Sequence, residues 1–318
     1  MNFSHEVKSE ILAKPIKERC CKKAFLAGLI RGTGEIYYDK FGDLGLDFKV
    51  TGEETANIVS DYFFYIYGYE IREVSVVSDK LNKKDKFVLS VCGEKAADIL
   101  KDLDILIEKD GELAVNLKFY GRLTEKECCL RAFFKGLYLS VGSCTVPQKD
   151  ESANTRYHLE LCFSHSTPAT DTAEILSRFL ITAKVMRRKG GYIVYVKSVE
   201  EIKNFFAFLG APVSVLKLTD LIINAELNNI SNRRRNCDIN NVNKQVAAAE
   251  KQITAIEKIE KTVGLSYLKK EDLILTAKAR TENPEETLGE LAERLNVTKS
   301  CLNHRLRKIV ALSENIAD

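Results

Sequence analysis

The sequence predicts an α+β fold in which one unit of helices and strands occurs twice, followed by an all-α helix-turn-helix domain. A fifteen-residue stretch recurs 108 positions later, and strand and helix patterns follow each copy in the same order. The last fifty residues contain two short helical patterns separated by a tight connection. Together these observations predict two duplicated αββαββα halves ahead of a small helical domain.

The repeated stretch reads CCKKAFLAGLIRGTG from Cys20 and CCLRAFFKGLYLSVG from Cys128, with seven of fifteen positions identical. Identity at this level within one chain indicates an internal duplication. Small apolar residues recur at helical spacing in both copies, and Gly28 is matched by Gly136. Because glycine lets two backbones approach closely, we expect the two lead helices to pack together about a pseudo-twofold axis.

The segments after each copy follow one plan. The first copy precedes the strand pattern GDLGLDFKV and a helical pattern, and the second precedes YHLELCFS and a helical pattern. A hairpin pattern and a closing helix complete each half. Gly34 and Gly142 follow the lead helices, and we expect them to end these helices in the left-handed conformation.

Composition changes divide the chain into three parts. The duplicated domain is expected at 1–213, with its repeats at about 20–106 and 128–212, a helical linker at 214–268 and the helix-turn-helix domain at 269–318. In the linker, an asparagine-rich segment interrupts long helical patterns. The three consecutive basic residues of that segment form either an ordinary solvated turn or a phosphate contact. They are Arg233, Arg234 and Arg235.

The predicted helix-turn-helix reads TLGELAERLNVTKSCLNHRLRKIVAL. Thr298 is a good N-cap for the second helix, after a tight connection at Asn296 and Val297. The apolar face of the first helix consists of Leu288, Leu291, Ala292 and Leu295. The inward stripe of the second helix consists of Leu302, Leu306 and Ile309. This pattern is typical of a helix-turn-helix, although a purely structural three-helix bundle with a solvated basic face would look similar.

The outward side of the second helix is small, polar and basic, as a helix in the DNA major groove requires. Asn303 can bridge an adenine edge and Arg307 a guanine edge, while flanking cations meet phosphates. His304 is interpreted as a polar contact, because neither a nucleophile nor a second acid-base residue accompanies it. The segment from Arg294 to Val310 carries five basic residues and no acid. The candidate DNA-binding residues are Thr298, Lys299, Ser300, Asn303, His304, Arg305, Arg307 and Lys308.

Composition narrows the class of protein. With 318 residues, of which 45% are hydrophobic, the chain can bury ordinary cores, and its net charge of +3 does not by itself indicate a nucleic-acid partner. No apolar run is long enough for a membrane span and no signal peptide is evident, so we expect a cytoplasmic protein without a membrane partner. We expect no cofactor.

The nine cysteines show no CxxC spacing and are expected to be reduced core residues. Cys20 and Cys21 are adjacent on a helix, where side chains diverge by about 100°. We therefore expect that they cannot share one metal site, and no metal is predicted.

The segment LAGLIRGTG from Leu26 resembles the signature of LAGLIDADG homing endonucleases, and the duplicated layout is similar to their single-chain form. In that family, one acid per repeat holds catalytic metal ions against the scissile phosphates. The corresponding positions in this chain carry Arg31, Thr33, Leu139 and Val141, which offer no paired carboxylates. Glu35 and Asp39 could replace an acid only in the first repeat. The resemblance therefore implies a scaffold without catalytic residues.

A degenerate LAGLIDADG-like half followed by a helix-turn-helix resembles the WhiA family of bacterial regulators along the whole chain, including NRRRNCDINNVNKQVAAAEKQITAI and KSCLNHRLRKI. That resemblance implies sequence-specific binding of double-stranded DNA without cleavage, association with the nucleoid, and roles in transcription regulation, cell division, chromosome segregation or sporulation. Three alternatives remain open: an active LAGLIDADG-type endonuclease, a protein-interaction hub that does not read DNA, and a small-molecule sensor in the duplicated half.

Overall fold

A computed structural model describes residues 2–79, 84–147 and 156–316. The chain divides into two compact units, Met1–Ile222 and Ile223–Asp318. The division falls inside a long helix, so the finer limits at 213 and 268 remain predictions. None of the helices in the described part of the chain combines the length and the apolar character that a membrane span requires.

The first unit contains the predicted duplication. Repeat one consists of α2 (Arg19–Thr33), β1 (Glu35–Tyr38), β2 (Leu44–Thr51), α3 (Glu53–Tyr67), β3 (Arg72–Asp79), β4 (Lys84–Cys92) and α4 (Ala96–Asp102). Repeat two consists of α5 (Glu127–Val141), β7 (Gly142–Thr145), β8 (His158–Phe163), α6 (Ser166–Ser177), β9 (Lys184–Arg188), β10 (Gly191–Val196) and α7 (Val199–Leu209). Both repeats have the order αββαββα, so the predicted α+β duplication is confirmed.

The two sheets share one topology, which supports a true duplication. Their strand orders are β1-β2-β4-β3 and β7-β8-β10-β9, and all neighbours are antiparallel. Equivalent central pairs bury Leu46 opposite Val91 and Leu161 opposite Val194. Two elements were not predicted from the sequence. They are helix α1 (Phe3–Leu12) and a hairpin of β5 (Leu106–Lys109) and β6 (Glu112–Val115) between the repeats.

The lead helices α2 and α5 pack backbone to backbone through reciprocal glycines, as predicted. A Cβ atom on Gly28 would lie 2.0 Å from the carbonyl oxygen of Phe133, and one on Gly136 would lie 2.1 Å from that of Phe25. Since Cβ atoms do not tolerate such distances, only glycine fits either position. The contact joins the two repeats into one buried core.

Two glycines follow the lead helices as predicted, but the left-handed conformation expected for them is wrong. Gly34 has φ −74° and Gly142 has φ −85°, so both are extended and not left-handed. Space is the constraint instead: an added Cβ would lie 2.7 Å from the Ile30 carbonyl oxygen at Gly34 and 2.2 Å from the Tyr138 ring at Gly142. The chain therefore turns directly from helix into strand, close to the last helical turn.

The structure corrects two expectations about cysteine. First, several cysteines are exposed and do not belong to the core, namely Cys20, Cys128, Cys162, Cys237 and Cys301. Second, the sulfur atoms of Cys20, Cys21 and Cys129 all lie within 4.8 Å of one another, so adjacent cysteines do converge. Side chains diverge in this way on one isolated helix, but the packing of α2 against α5 places the second cysteine pair beside the first.

The C-terminal part begins with α8 (Pro212–Thr262), which continues without interruption through the asparagine-rich segment. The predicted interruption, and with it the solvated turn at the three arginines, is therefore wrong. A 3₁₀ turn (Leu265–Leu268) precedes α9 (Glu271–Glu282), α10 (Leu288–Arg294) and α11 (Lys299–Glu314). Asparagine lowers helix propensity only by tenths of a kcal/mol per residue, about 0.7 at most, so a composition change does not end a helix.

Candidate nucleic-acid interface

The entry into α10 is fixed by a capping box. The Thr287 hydroxyl accepts from the Glu290 amide at 3.4 Å, and the Glu290 carboxylate accepts from the Thr287 amide at 2.8 Å. These bonds satisfy two amide groups that a helix start otherwise leaves without partners. The capping box fixes the first residue of the helix that precedes the turn.

The turn between α10 and α11 is short and specific. Asn296 has φ 50°, a left-handed conformation that asparagine adopts more easily than most residues. Thr298 then caps α11, because its hydroxyl accepts from the Cys301 amide at 3.2 Å. Both features agree with the predicted helix-turn-helix and fix where α11 starts.

One side of α11 is buried as predicted. Leu302 and Leu306 belong to an apolar cluster with Leu291 and Ala292 of α10. Ile309 packs in a second cluster with residues of α8 and α9. Because these side chains are almost wholly buried, the helix cannot rotate about its axis, and its opposite side is held towards solvent.

The opposite side of α11 presents most of the predicted DNA-binding residues together. The exposed members are Thr298, Lys299, Ser300, His304, Arg307 and Lys308. Asn303 is half-buried on the same side. The role of these residues in DNA binding remains a prediction, but their common placement on one helix is a feature of the structure.

Two basic residues of the acid-free segment 294–310 form ion pairs within the protein. The Nε atom of Arg305 lies 3.5 Å from a carboxylate oxygen of Asp272, and its side chain is only 21% exposed. Arg294 forms a bidentate ion pair with Glu286, and this pairing lowers the pKa of the Glu286 carboxyl. Their positive charges are therefore partly neutralised, which a count of basic residues in the sequence does not reveal.

The three consecutive arginines lie within α8 and are exposed. Adjacent helical residues diverge by about 100°, so Arg233, Arg234 and Arg235 spread around some 200° of the helix surface. The structure does not place them on one face.

The positions that carry acids in LAGLIDADG endonucleases hold other groups in this chain. Arg31 donates to the backbone carbonyl oxygens of Asn116 at 2.5 Å and of Asp104. Burial lowers the pKa of Arg31 to about 10, against the opposing charges of Asp104 and Asp171, so the group stays cationic at neutral pH. Arg31 thus fastens the end of α2 to the β5–β6 region.

The other motif positions offer no paired ligands either. The Thr33 hydroxyl donates to the Lys49 carbonyl oxygen at 2.9 Å. Leu139 is buried and Val141 is half-buried. In the described residues, neither repeat therefore presents a carboxylate at its motif position.

The two nearby acids that could replace a ligand are already engaged. Glu35 is exposed and pairs with Lys49 at 3.1 Å, while the Asp39 carboxylate accepts from two backbone amides of its own turn at 2.8 Å. A cavity of about 270 Å³ at the foot of α2 has Arg31, Thr33 and His165 in its lining, and Glu35 is its sole carboxylate among the described residues. Such a lining lacks the pair of oxygen-rich ligand sets that a two-metal centre uses.

Comparisons with known proteins agree with this organisation. The family model described as the WhiA N-terminal LAGLIDADG-like domain matches residues 19–106. The WhiA LAGLIDADG-like domain matches residues 130–228, and the WhiA C-terminal HTH domain matches residues 231–313. The three matches follow one another along nearly the whole chain.

Individual relatives extend over the full length. The chain is 33% identical to the "Probable cell division protein WhiA" of Bacillus cytotoxicus, with 99% of this chain and 97% of that protein covered. A Bacillus cereus protein of the same name is 32% identical over the same extent. The full-length DUF199/WhiA crystal structure from Thermatoga maritima has a TM-score of 0.57 at 23% identity, covers both chains completely, and supports the fold. Since the repeats, the terminal domain and the full-length relatives agree, the chain belongs to the WhiA family.

Proposed function

We propose that this protein binds double-stranded DNA sequence-specifically without cleaving it, and regulates transcription in the service of cell division, chromosome segregation or sporulation. The observation that carries the proposal is the two-sided character of α11. Its apolar stripe is locked into the domain core, and its exposed side offers an amide, an imidazole and cations, with no acid before Glu314 at the last residue of the helix. This combination suits insertion into the negatively charged major groove.

Base reading and phosphate binding are assigned to different residues. Asn303 and Arg307 are one helical turn apart, with Arg307 exposed and Asn303 half-buried at the edge of the buried stripe, and both can form the two-bond contacts that identify adenine and guanine. Lys299 and Lys308 lie towards the two ends of this surface and supply phosphate contacts. Arg305 contributes less, because its side chain is only 21% exposed and its Nε atom lies beside the Asp272 carboxylate, at 3.5 Å.

The absence of cleavage is proposed from the motif positions. Arg31 would repel a divalent cation, and Leu139 and Val141 provide no oxygen ligand. Relatives named as probable cell division proteins support a role in the division cycle. Binding to chromosomal DNA would place the protein at the nucleoid in the cytoplasm.

A genome-wide map of bound sites tests this function. The parent is expected to occupy discrete sites that share a sequence motif, and the Asn303→Ala, Arg307→Ala double variant is expected to lose that pattern while still folding. Lys278→Ala is the matched control, because it removes one exposed charge from α9 in the same unit. If the double variant occupies the same sites as the parent, α11 is not the reading helix.

A further inference from the structure

The two lead helices bring four cysteines together at their first turns. Cys20 and Cys21 are the second and third residues of α2, and Cys128 and Cys129 are the second and third residues of α5. The Sγ atom of Cys129 lies 4.0 Å from that of Cys21 and 4.0 Å from that of Cys128. Across residues 2–79, 84–147 and 156–316, Cys20, Cys21 and Cys129 form the only group of three or more cysteine, histidine or acidic side chains close enough to share one ion.

The spacing of the sulfur atoms suits a tetrahedral thiolate site. Zinc–sulfur bonds of about 2.3 Å in a tetrahedron place neighbouring sulfurs about 3.8 Å apart. The two distances of 4.0 Å are close to this value. A disulfide, in contrast, requires a separation of about 2.05 Å, so any pair would have to approach by nearly half its present distance.

Two features beside the cluster favour negative charge, whereas burial raises the pKa of the Cys21 and Cys129 thiols. Neither α2 nor α5 has a side-chain cap at its N-terminus, so the amides of both first turns are available to negative charge beside them. Lys126 lies close enough to Cys20 to interact with it electrostatically. Two helix ends and one cation thus offset the charge that four thiolates around one divalent ion would leave.

The cluster is also accessible. Cys21 and Cys129 are buried, whereas Cys20 and Cys128 are exposed. An ion can therefore enter from solvent and reach the buried pair, and the exposed side chains can rotate to close the site. Access of this kind is required of any metal site that fills after folding.

We propose that Cys20, Cys21, Cys128 and Cys129 bind one Zn²⁺ ion, with two ligands from each repeat. Binding replaces the thiol protons, which pass to solvent, and forms four zinc–sulfur bonds without oxidation. The ion links the first turn of α2 to that of α5 and so stabilises the folded form of the duplicated domain. It is a structural site, distinct from the motif positions at the opposite ends of the same helices.

The test titrates full-length, reduced, chelator-treated protein with Co²⁺ and then displaces it with Zn²⁺. The parent should show sulfur-to-cobalt charge-transfer absorption and the visible bands of tetrahedral Co²⁺, saturating at one ion per chain. The double variant Cys20→Ser, Cys128→Ser removes the two exposed ligands and should weaken Co²⁺ binding by at least about 100-fold. Loss of an outer-shell partner alone can weaken metal binding by up to about 100-fold, and loss of direct ligands should cost at least as much. Because both positions are exposed, this variant should keep its fold by circular dichroism.

The matched control is Cys162→Ser, Cys237→Ser, which removes two exposed cysteines outside the cluster and should bind Co²⁺ like the parent. Zinc should raise the melting temperature of the parent and of the control, but not that of Cys20→Ser, Cys128→Ser. Parent protein that shows no tetrahedral thiolate spectrum, or equal binding by the cluster variant, would overturn the proposal. A Cys21–Cys129 disulfide found by mass spectrometry in protein that takes up no metal would replace it with a redox pair.

Discussion

The guanidinium of Arg31 donates to the carbonyl oxygen of Asn116 at 2.5 Å, in the motif position where LAGLIDADG endonucleases carry an acid. The second donated bond, to the Asp104 carbonyl oxygen, makes one side chain the partner of two separate backbone groups. Arg31→Met should leave both carbonyls without donors and lower the free energy of unfolding by roughly 2–5 kcal/mol. Urea denaturation measures the change, and Arg31→Lys should recover part of it because it keeps the charge.

Gly28→Ala and Gly136→Ala should each destabilise the duplicated domain. The added methyl groups would lie 2.0 and 2.1 Å from carbonyl oxygens of the opposite helix, so the backbones must separate. Overpacking of this kind costs about 1–3 kcal/mol, and more where rigid backbone is displaced. Thermal melts should fall by several degrees. Gly121→Ala is the control, because its Cβ would meet only the Asp104 carboxylate, at 3.1 Å, and an unchanged melt for both helix variants would contradict the packing.

Alanine at Asn303 or Arg307 should reduce affinity for the preferred DNA site by roughly 1–3 kcal/mol and affect random DNA little. Alanine at Lys308 should weaken binding to both kinds of DNA alike and flatten the dependence of log K on log salt by about one phosphate contact. Fluorescence anisotropy at several salt concentrations separates the two effects. If all three variants bind like the parent, the reading surface lies elsewhere in the chain.

The three arginines of α8 should contribute unequally. Since their side chains spread over about 200° of the helix, no more than two can contact one duplex. Replacing all three by alanine should therefore remove at most about two phosphate contacts. Each contact contributes close to one to the slope of log K against log salt, so the slope should change by about two at most. Single substitutions identify which arginine dominates. A loss of three equal contacts would show that the helix does not persist on DNA.

The protein should not nick supercoiled plasmid in Mg²⁺ or Mn²⁺. The described motif positions provide no paired carboxylates, and Glu35 is held by Lys49 at 3.1 Å. Gel electrophoresis over a protein titration is the measurement, with Glu35→Gln run in parallel. Metal-dependent nicking by the parent that disappears in Glu35→Gln would refute the non-catalytic assignment and restore the endonuclease alternative.

Features set by local spacing could be predicted from the sequence, whereas features set by contacts between distant segments could not. The repeat identified Gly28 and Gly136 as a close contact, and the helix-turn-helix pattern identified Thr298 as a cap and Leu302 as buried. The convergence of the cysteines depends on a second helix 108 residues away. No periodicity within one segment reports such a contact.

In the C-terminal domain, too, contacts between distant residues could not be predicted from the local sequence. A basic stretch indicated five available cations, yet Arg294 and Arg305 are engaged by Glu286 and Asp272. Gly34 was correctly predicted to end α2, but it was expected to have a positive φ. The structure shows that crowding requires glycine there, and the sequence cannot distinguish crowding from a positive φ because both select glycine. Both cases required the three-dimensional neighbours.

The two bonds of Arg31 also constrain how this protein can evolve. An aspartate at position 31 would set a carboxylate against the carbonyl oxygens of Asn116 and Asp104, so that acceptors would meet acceptors and no donor would remain. Restoring paired acids at the motif positions would thus lower folding stability before any metal site formed. In the second repeat, an acid at position 139 would place a charge where Leu139 is now buried among apolar side chains. Each acid therefore requires compensating changes in the residues around it.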